Sequence, residues 1–180
     1  MKKKLHLSIL FTFLLSFTSF TQEVDYSYLS IPDSLKENSN AVIRNNSVEI
    51  SIEDVDEMVI HKKVVVTVLN KLGNRYASMY EGYDNDTKIT NLSAYIYNSL
   101  GKQIKKYKER DFLDVSAVDG GTLYSDSRVK YVNYTPISYP YTVVFESEYR
   151  TSSTGFIPSW FPLKGYHVSV EKSEYQLKNP

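Results

Sequence analysis

The sequence predicts an all-β domain folded as an antiparallel β-sandwich, and three observations point that way. Strand-length runs of alternating apolar and polar residues recur from Val42 onward, separated by Asn, Asp and Gly turn residues. Pro136, Pro140, Pro158 and Pro162 all fall between those runs, where a residue lacking a backbone N–H interrupts no ladder. Beyond Leu35 no stretch repeats at helical spacing. Short strands without covering helices bury their apolar faces by packing sheet on sheet.

Taken in order, residues 1–21 read as a signal peptide. Lys2, Lys3 and Lys4 form its positive end, and Leu5 to Phe20 its apolar stretch. Ser8, Thr12, Ser16 and Thr18 dilute that stretch, which is short for a membrane span. The small residues Ser19 and Thr21 place cleavage before Gln22. No second apolar run follows, so no membrane span is expected after signal removal. The expected location is exported, either periplasmic or extracellular.

Residues 22–40 are a polar lead-in expected on the surface. Pro32-Asp33-Ser34 starts a short helix there, capped by Asp33 or Ser34 with Glu37 reaching back. The β-sandwich domain spans residues 41–180. Val42 to Ile52 alternates with Val48, Ile50 and Ile52 in phase. Met58 to Leu69 is apolar on both faces, which predicts a central strand. Between them Glu53, Asp54, Asp56 and Glu57 read as a solvated hairpin turn rather than a cation site.

Asn70 to Asn74 reads as a turn with Gly73 at a position suited to positive φ. Arg75 to Tyr83 follows as a strand, and Asp84-Asn85-Asp86 as the next turn. Ile89 to Tyr97 and Lys102 to Tyr107 form a hairpin about Asn98-Ser99-Leu100-Gly101. Glu109 to Ser127 reads as irregular. Strands are expected again at Arg128 to Tyr134, Tyr141 to Arg150 and Tyr166 to Leu177.

Composition excludes several functions. The formal net charge of +0 gives no electrostatic footprint for nucleic acid. With Cys 0, the chain has no disulfide, thiolate metal site or cysteine nucleophile, and lipoprotein processing is excluded. An exported chain without cysteine suits a bacterial envelope. Tyr 16 and Phe 8 are many for 180 residues; tyrosine belongs first to strand faces and then to binding surfaces.

Candidate chemistry is sparse. His6 leaves with the signal, and His61 and His167 sit in or beside strands with no serine elbow nearby. Asp111, Asp114, Asp119 and Asp126 supply carboxylates for a hydrolase, the weakest reading. Asp126 and Arg128 share a face of an extended segment, and together are expected to pin the irregular region to the sheet. Gly120-Gly121 lacks the helix of a phosphate loop. No catalytic residue, metal or cofactor is expected. Gly155 to Gly165 carries Phe156, Ile157, Trp160, Phe161 and Leu163 around Pro158 and Pro162; Phe156 and Ile157 are expected to fold back and cap the sandwich core, and Trp160 and Phe161 are the candidate interaction residues.

The strings DVSAVDGGTLYSDSRVKYVNY, YPYTVVFESEY and WFPLKGYHVSVEKSEYQL resemble the N-terminal domain of secreted transglutaminase-like proteins of Bacteroidetes-type bacteria. That domain is known as domain of unknown function 3857, and the resemblance runs from about Val42 to the end. It implies an immunoglobulin-like sandwich followed by a papain-like transglutaminase domain with cysteine, histidine and aspartate. The chain ends at Pro180 without cysteine, so no catalytic residue carries over and a longer protein is expected. The leading expectation is a non-catalytic exported domain that packs against or positions that downstream transglutaminase-like domain. The rival is a carbohydrate- or peptide-binding module using exposed tyrosines and Trp160.

Overall fold

The structure is a computed structural model describing residues 25–117 and 126–178. The predicted signal peptide with its cleavage point, Asp119 and Gly120-Gly121 lie outside the described residues. The fold is all-β, with a seven-stranded sheet facing a three-stranded one.

Strand β1 (Ala41–Asp54) turns at Val55 and Asp56 into β2 (Glu57–Val68). The acidic residues there form an exposed turn, with the Asp54 side chain accepting the Val55 N–H. After a 3-10 turn at Lys71–Tyr76 come β3 (Met79–Tyr83), β4 (Thr87–Tyr97) and β5 (Gln103–Lys108). Then follow β6 (Leu113–Ser116), β7 (Arg128–Val132), β8 (Tyr141–Thr151), β9 (Val168–Val170) and β10 (Ser173–Lys178). The large sheet runs β10-β1-β2-β8-β4-β5 with β9 also on β1, and the small one β3-β7-β6. As its two apolar faces predict, β2 is interior, flanked by β1 and β8.

Five details differ from the sequence reading. Arg75 and Tyr76 belong to the 3-10 turn, so the strand expected from Arg75 begins only at Met79. The Gly73 turn is a 3-10 turn, and Gly73 is not at positive φ. It is glycine because an added Cβ would stand 2.1 Å from the Asn40 carbonyl oxygen. The region read as irregular contains β6, whose four exposed residues alternate over too short a run to stand out. The last predicted strand is two strands, and both run parallel to β1. Their break at Glu171 and Lys172 faces the register shift that β1 makes between Ile43 and Asn45.

A parallel neighbour requires a crossover, because a tight turn only reverses direction. Here residues 152–167 supply it, leaving β8 beside Met58 and re-entering beside Ala41 at the opposite end of β1. The apolar stretch that carries Pro158 and Pro162 is therefore a crossover strap.

The core lies between the sheets. Ile43, Val66, Ala94, Ile96, Val143 and Phe145 meet Met79 and Val132 of the small sheet, with Phe112 beside them. A second cluster of Ile50, Met58, Ile60 and Tyr149 continues the large sheet's inner face toward the β1–β2 turn. Each fully buried Ile or Val here contributes about 1.5–3 kcal/mol.

The lead-in is also structural. Val42, Val65, Thr67, Thr142 and Val144 alternate onto the outer face of the large sheet, yet all are buried. Residues 25–40 lie over them: the Thr142 hydroxyl donates to the Tyr26 carbonyl, the Tyr28 N–H to Ser99, and Ile31 is 2% exposed. Arg44 anchors this cover by donating to the carbonyls of Asp25 and Ser27. The short helix α1 (Asp33–Lys36) forms, but Pro32 is its cap and Asp33 pairs with Lys36 at 2.6 Å instead of capping.

Candidate binding cleft between the sheets

Alternation along β2 places Met58, Ile60, Lys62, Val64 and Val66 on one face, so a lysine points into the space between the sheets. A charge in that position requires a partner. Glu81 of β3, 6% exposed, supplies it: Lys62 Nζ lies 2.9 Å from Glu81 Oε1. The Ser147 hydroxyl, on β8 opposite Lys62, donates to Glu81 Oε2 at 2.5 Å. Lys62 Nζ also sits 4.7 Å from the Tyr149 ring centre. Burial works against the Lys62 charge, but Glu81 and the Tyr149 hydroxyl outweigh it and raise its pKa above the ordinary lysine value.

Beside this cluster the small sheet ends and the strap passes over the large sheet, leaving a cleft of about 750 Å³. Its floor is apolar, with Val48, Val64 and Phe145. Trp160 and Phe161 stand on the strap side, Tyr80 on the β3 side. The strap is tied at both ends: Tyr175 Oη donates to the Pro158 carbonyl and Tyr76 Oη to the Tyr166 carbonyl, each at 2.8 Å. The Trp160 ring packs 5.8 Å from that of Tyr175 yet stays 39% exposed, and Phe161 is 65% exposed. Phe156 and Ile157 do not cap the core as expected: both are exposed, because the strap crosses outside the two sheets' clusters.

Asp126 and Arg128 do not act as a pair. Arg128 Nε donates to Asp114 Oδ1 at 2.8 Å and to Tyr83 Oη at 3.0 Å, joining all three strands of the small sheet. Asp126 instead accepts the Asn85 N–H at 3.0 Å and braces the β3–β4 turn. The hydrogen bond from Tyr83 and the nearby Arg128 hold the Asp114 carboxyl below its ordinary pKa. Two residues apart, Asp126 and Arg128 share a side of the chain, but antiparallel pairing sets Arg128 opposite Ser116 and so diagonal to Asp114 of β6, within reach of its long side chain.

The other candidates are dispersed. Asp111 Oδ2 accepts the Lys108 N–H and caps a 3-10 turn. His61 pairs with Glu148 at 2.9 Å on the outer face of the large sheet, and His167 Nδ1 contacts the Asn38 carbonyl near the start of β9. Among the described residues no group of three His, Asp or Glu side chains is placed to hold a metal ion. Sequence reasoning missed Lys62, Glu81 and Ser147. The available signal was a lysine at an inward position of a central strand.

The family model of domain of unknown function 3857, described as a domain of unknown function with a solved structure, matches residues 54–180. No curated protein matches the sequence. Among solved structures, one described as a "putative protease" from Parabacteroides distasonis ATCC 8503 aligns with a TM-score of 0.51 at 16% identity, covering 68% of this chain and 24% of that one. An M1 zinc metallopeptidase E323A mutant from Deinococcus radiodurans aligns at a TM-score of 0.27 and 7% identity, over 71% of this chain and 23% of that one. The first likeness is one of fold, and the second supports no argument. The chain thus spans about a quarter of the length of these solved structures.

Proposed function

The chain belongs to the family of domain of unknown function 3857, and on that premise we propose an exported, non-catalytic sandwich domain that packs against and positions a following transglutaminase-like domain. The observation that carries this reading is the strap. Phe156 is 83% exposed and Leu163 77%, the latter between hydrogen bonds that tie the strap at Pro158 and Tyr166 and the former just before them. A pre-ordered apolar patch loses little conformational entropy on docking, which is what an interdomain contact requires. Any transglutaminase- or protease-like chemistry then resides in the neighbouring domain. Among the described residues no helix is long and apolar enough to cross a membrane.

Trp160 is the sole tryptophan and reports on this surface. In this chain alone its emission should be red-shifted and quenched by iodide. With the downstream region restored it should move to the blue and become protected. Unchanged emission and quenching in the longer protein would overturn the docking role. A second reading, a carbohydrate- or peptide-binding module, is favoured by the cleft with Trp160 and Tyr80 along it.

A further inference from the structure

We propose that the cleft between the sheets takes an extended acidic peptide, which adds as a strand to the free edge of β3, inserts a large apolar side chain over Phe145 and places carboxylates against Arg75 and Lys164. This rests on the peptide-binding reading and specifies its ligand.

Three independent observations converge on that ligand. The first is an open backbone edge. β3 pairs only with β7, and among the described residues no backbone hydrogen bond reaches its other side. Ser78, Tyr80 and Glu81 of this segment line the cleft, so the strand with the open edge forms part of its wall. An exposed strand edge recruits an extended chain through main-chain hydrogen bonds, while neighbouring pockets select alternate side chains.

The second is the floor. Val48, Val64 and Phe145 lie within the 750 Å³ space, a size in the range of ligand sites, and accept an aliphatic or aromatic side chain.

The third is charge. Arg75 and Lys164 border the cleft and are exposed, and among the described residues neither forms an ion pair with a carboxylate. Arg75 is held in place, its Nη2 donating to Tyr76 Oη at 2.8 Å and its guanidinium 4.8 Å from that ring. The remaining charges in the cleft, Lys62 and Glu81, neutralise one another. The lining therefore carries uncompensated positive charge at its rim and selects an anionic partner.

The test uses this chain and a fluorescein-labelled synthetic peptide, Glu-Val-Glu-Phe-Glu-Val-Glu, read by fluorescence anisotropy. Saturable binding is expected, competed by unlabelled peptide and weakened by added salt. A peptide with Lys in place of every Glu should bind at least ~10-fold more weakly. Backbone N-methylation at alternate residues, in each of the two phases, should cost ~10-fold in one phase, because only one set of N–H groups meets the β3 edge. The double variant Arg75→Ser, Lys164→Ser should lose ~10-fold in affinity with an unchanged thermal midpoint, while Lys105→Ser on β5 keeps it. Equal binding of the Lys and Glu peptides, or indifference to both methylation phases, would overturn the inference while leaving a less selective peptide module. Binding of neither peptide would overturn the peptide-module reading as well.

Discussion

Lys62 Nζ lies 2.9 Å from Glu81 Oε1, so one ion pair ties the interior strand β2 of the large sheet to the edge strand β3 of the small one. Removing one member leaves the other charge desolvated and alone. Glu81→Ala should lower stability by about 2–4 kcal/mol in urea denaturation. The triple variant Lys62→Met, Glu81→Leu, Ser147→Ala should recover to within about 1 kcal/mol of wild type, since an apolar cluster replaces a polar one without orphans. A triple variant no better than Glu81→Ala would show that the pair contributes more than its mutual compensation.

Gly73 and Gly155 make an opposed pair. A Cβ at Gly73 would meet the Asn40 carbonyl carbon at 2.8 Å as well as its oxygen, and that oxygen already accepts the Leu69 N–H. Gly73→Ala should therefore cost about 1–3 kcal/mol through forced backbone movement. At Gly155 a Cβ meets nothing within 4 Å. Gly155→Ala should leave the midpoint unchanged or raise stability by about 0.4–1 kcal/mol through the unfolded chain.

The lead-in should behave as core. Ile31→Ala is expected to cost about 2–4 kcal/mol, the range of a buried large-to-small change, although sequence places this residue on a polar surface arm. A cost below about 0.5 kcal/mol would mean that residues 25–40 do not cover the outer face of the large sheet in solution.

Arg128→Ala should leave the denaturation midpoint within error of wild type. Its link to Asp114 and Tyr83 is solvent-exposed at both ends, and exposed pairs contribute little. A clear drop would show that the three strands of the small sheet depend on that bridge.

Stability should fall in alkali. Burial, with Tyr139 and Tyr134 nearby, pushes the Tyr141 hydroxyl well above its ordinary pKa, and its Oη donates to Asn74. Above about pH 10 the unfolded chain ionises this tyrosine while the folded chain keeps it protonated. Lys62, also raised, acts in the same direction: the unfolded lysine loses its proton first. The unfolded state then binds fewer protons, so unfolding free energy declines as pH rises from about 10. Denaturation midpoints at pH 9 and 11 check this, and Tyr141→Phe should flatten the decline.

Local periodicity and turn chemistry placed most strands. β1, β4, β5, β7 and β8 were legible from alternating residues and marked turns, β2 from a run apolar on both faces, and β3 as the second half of the run from Arg75. β6 was not, since Leu113 and Val115 alternate over too short a run. The parallel return of β9 and β10 was invisible, because strand direction is set by the crossover and not by strand composition. Trp160 and Phe161 were readable as exposed aromatics between prolines. The Arg128–Asp114 bridge and the Lys62–Glu81–Ser147 cluster were not, because each joins strands distant in sequence and depends on sheet-to-sheet or strand-to-strand register.

The parallel seam makes folding wait for late-made residues. Asn46 and Ser173 pair across 127 positions, so β1 gains its second neighbour only when nearly all the described chain exists. During synthesis the nascent β1–β2 hairpin holds a bare flank carrying Ile50 and Ile52, a template for illicit pairing with other chains. Such long-range closure also predicts slow folding for a domain of this size. A ribosome-stalled chain ending before Val168 should accordingly bind chaperone at this flank, and release it once Lys178 has emerged.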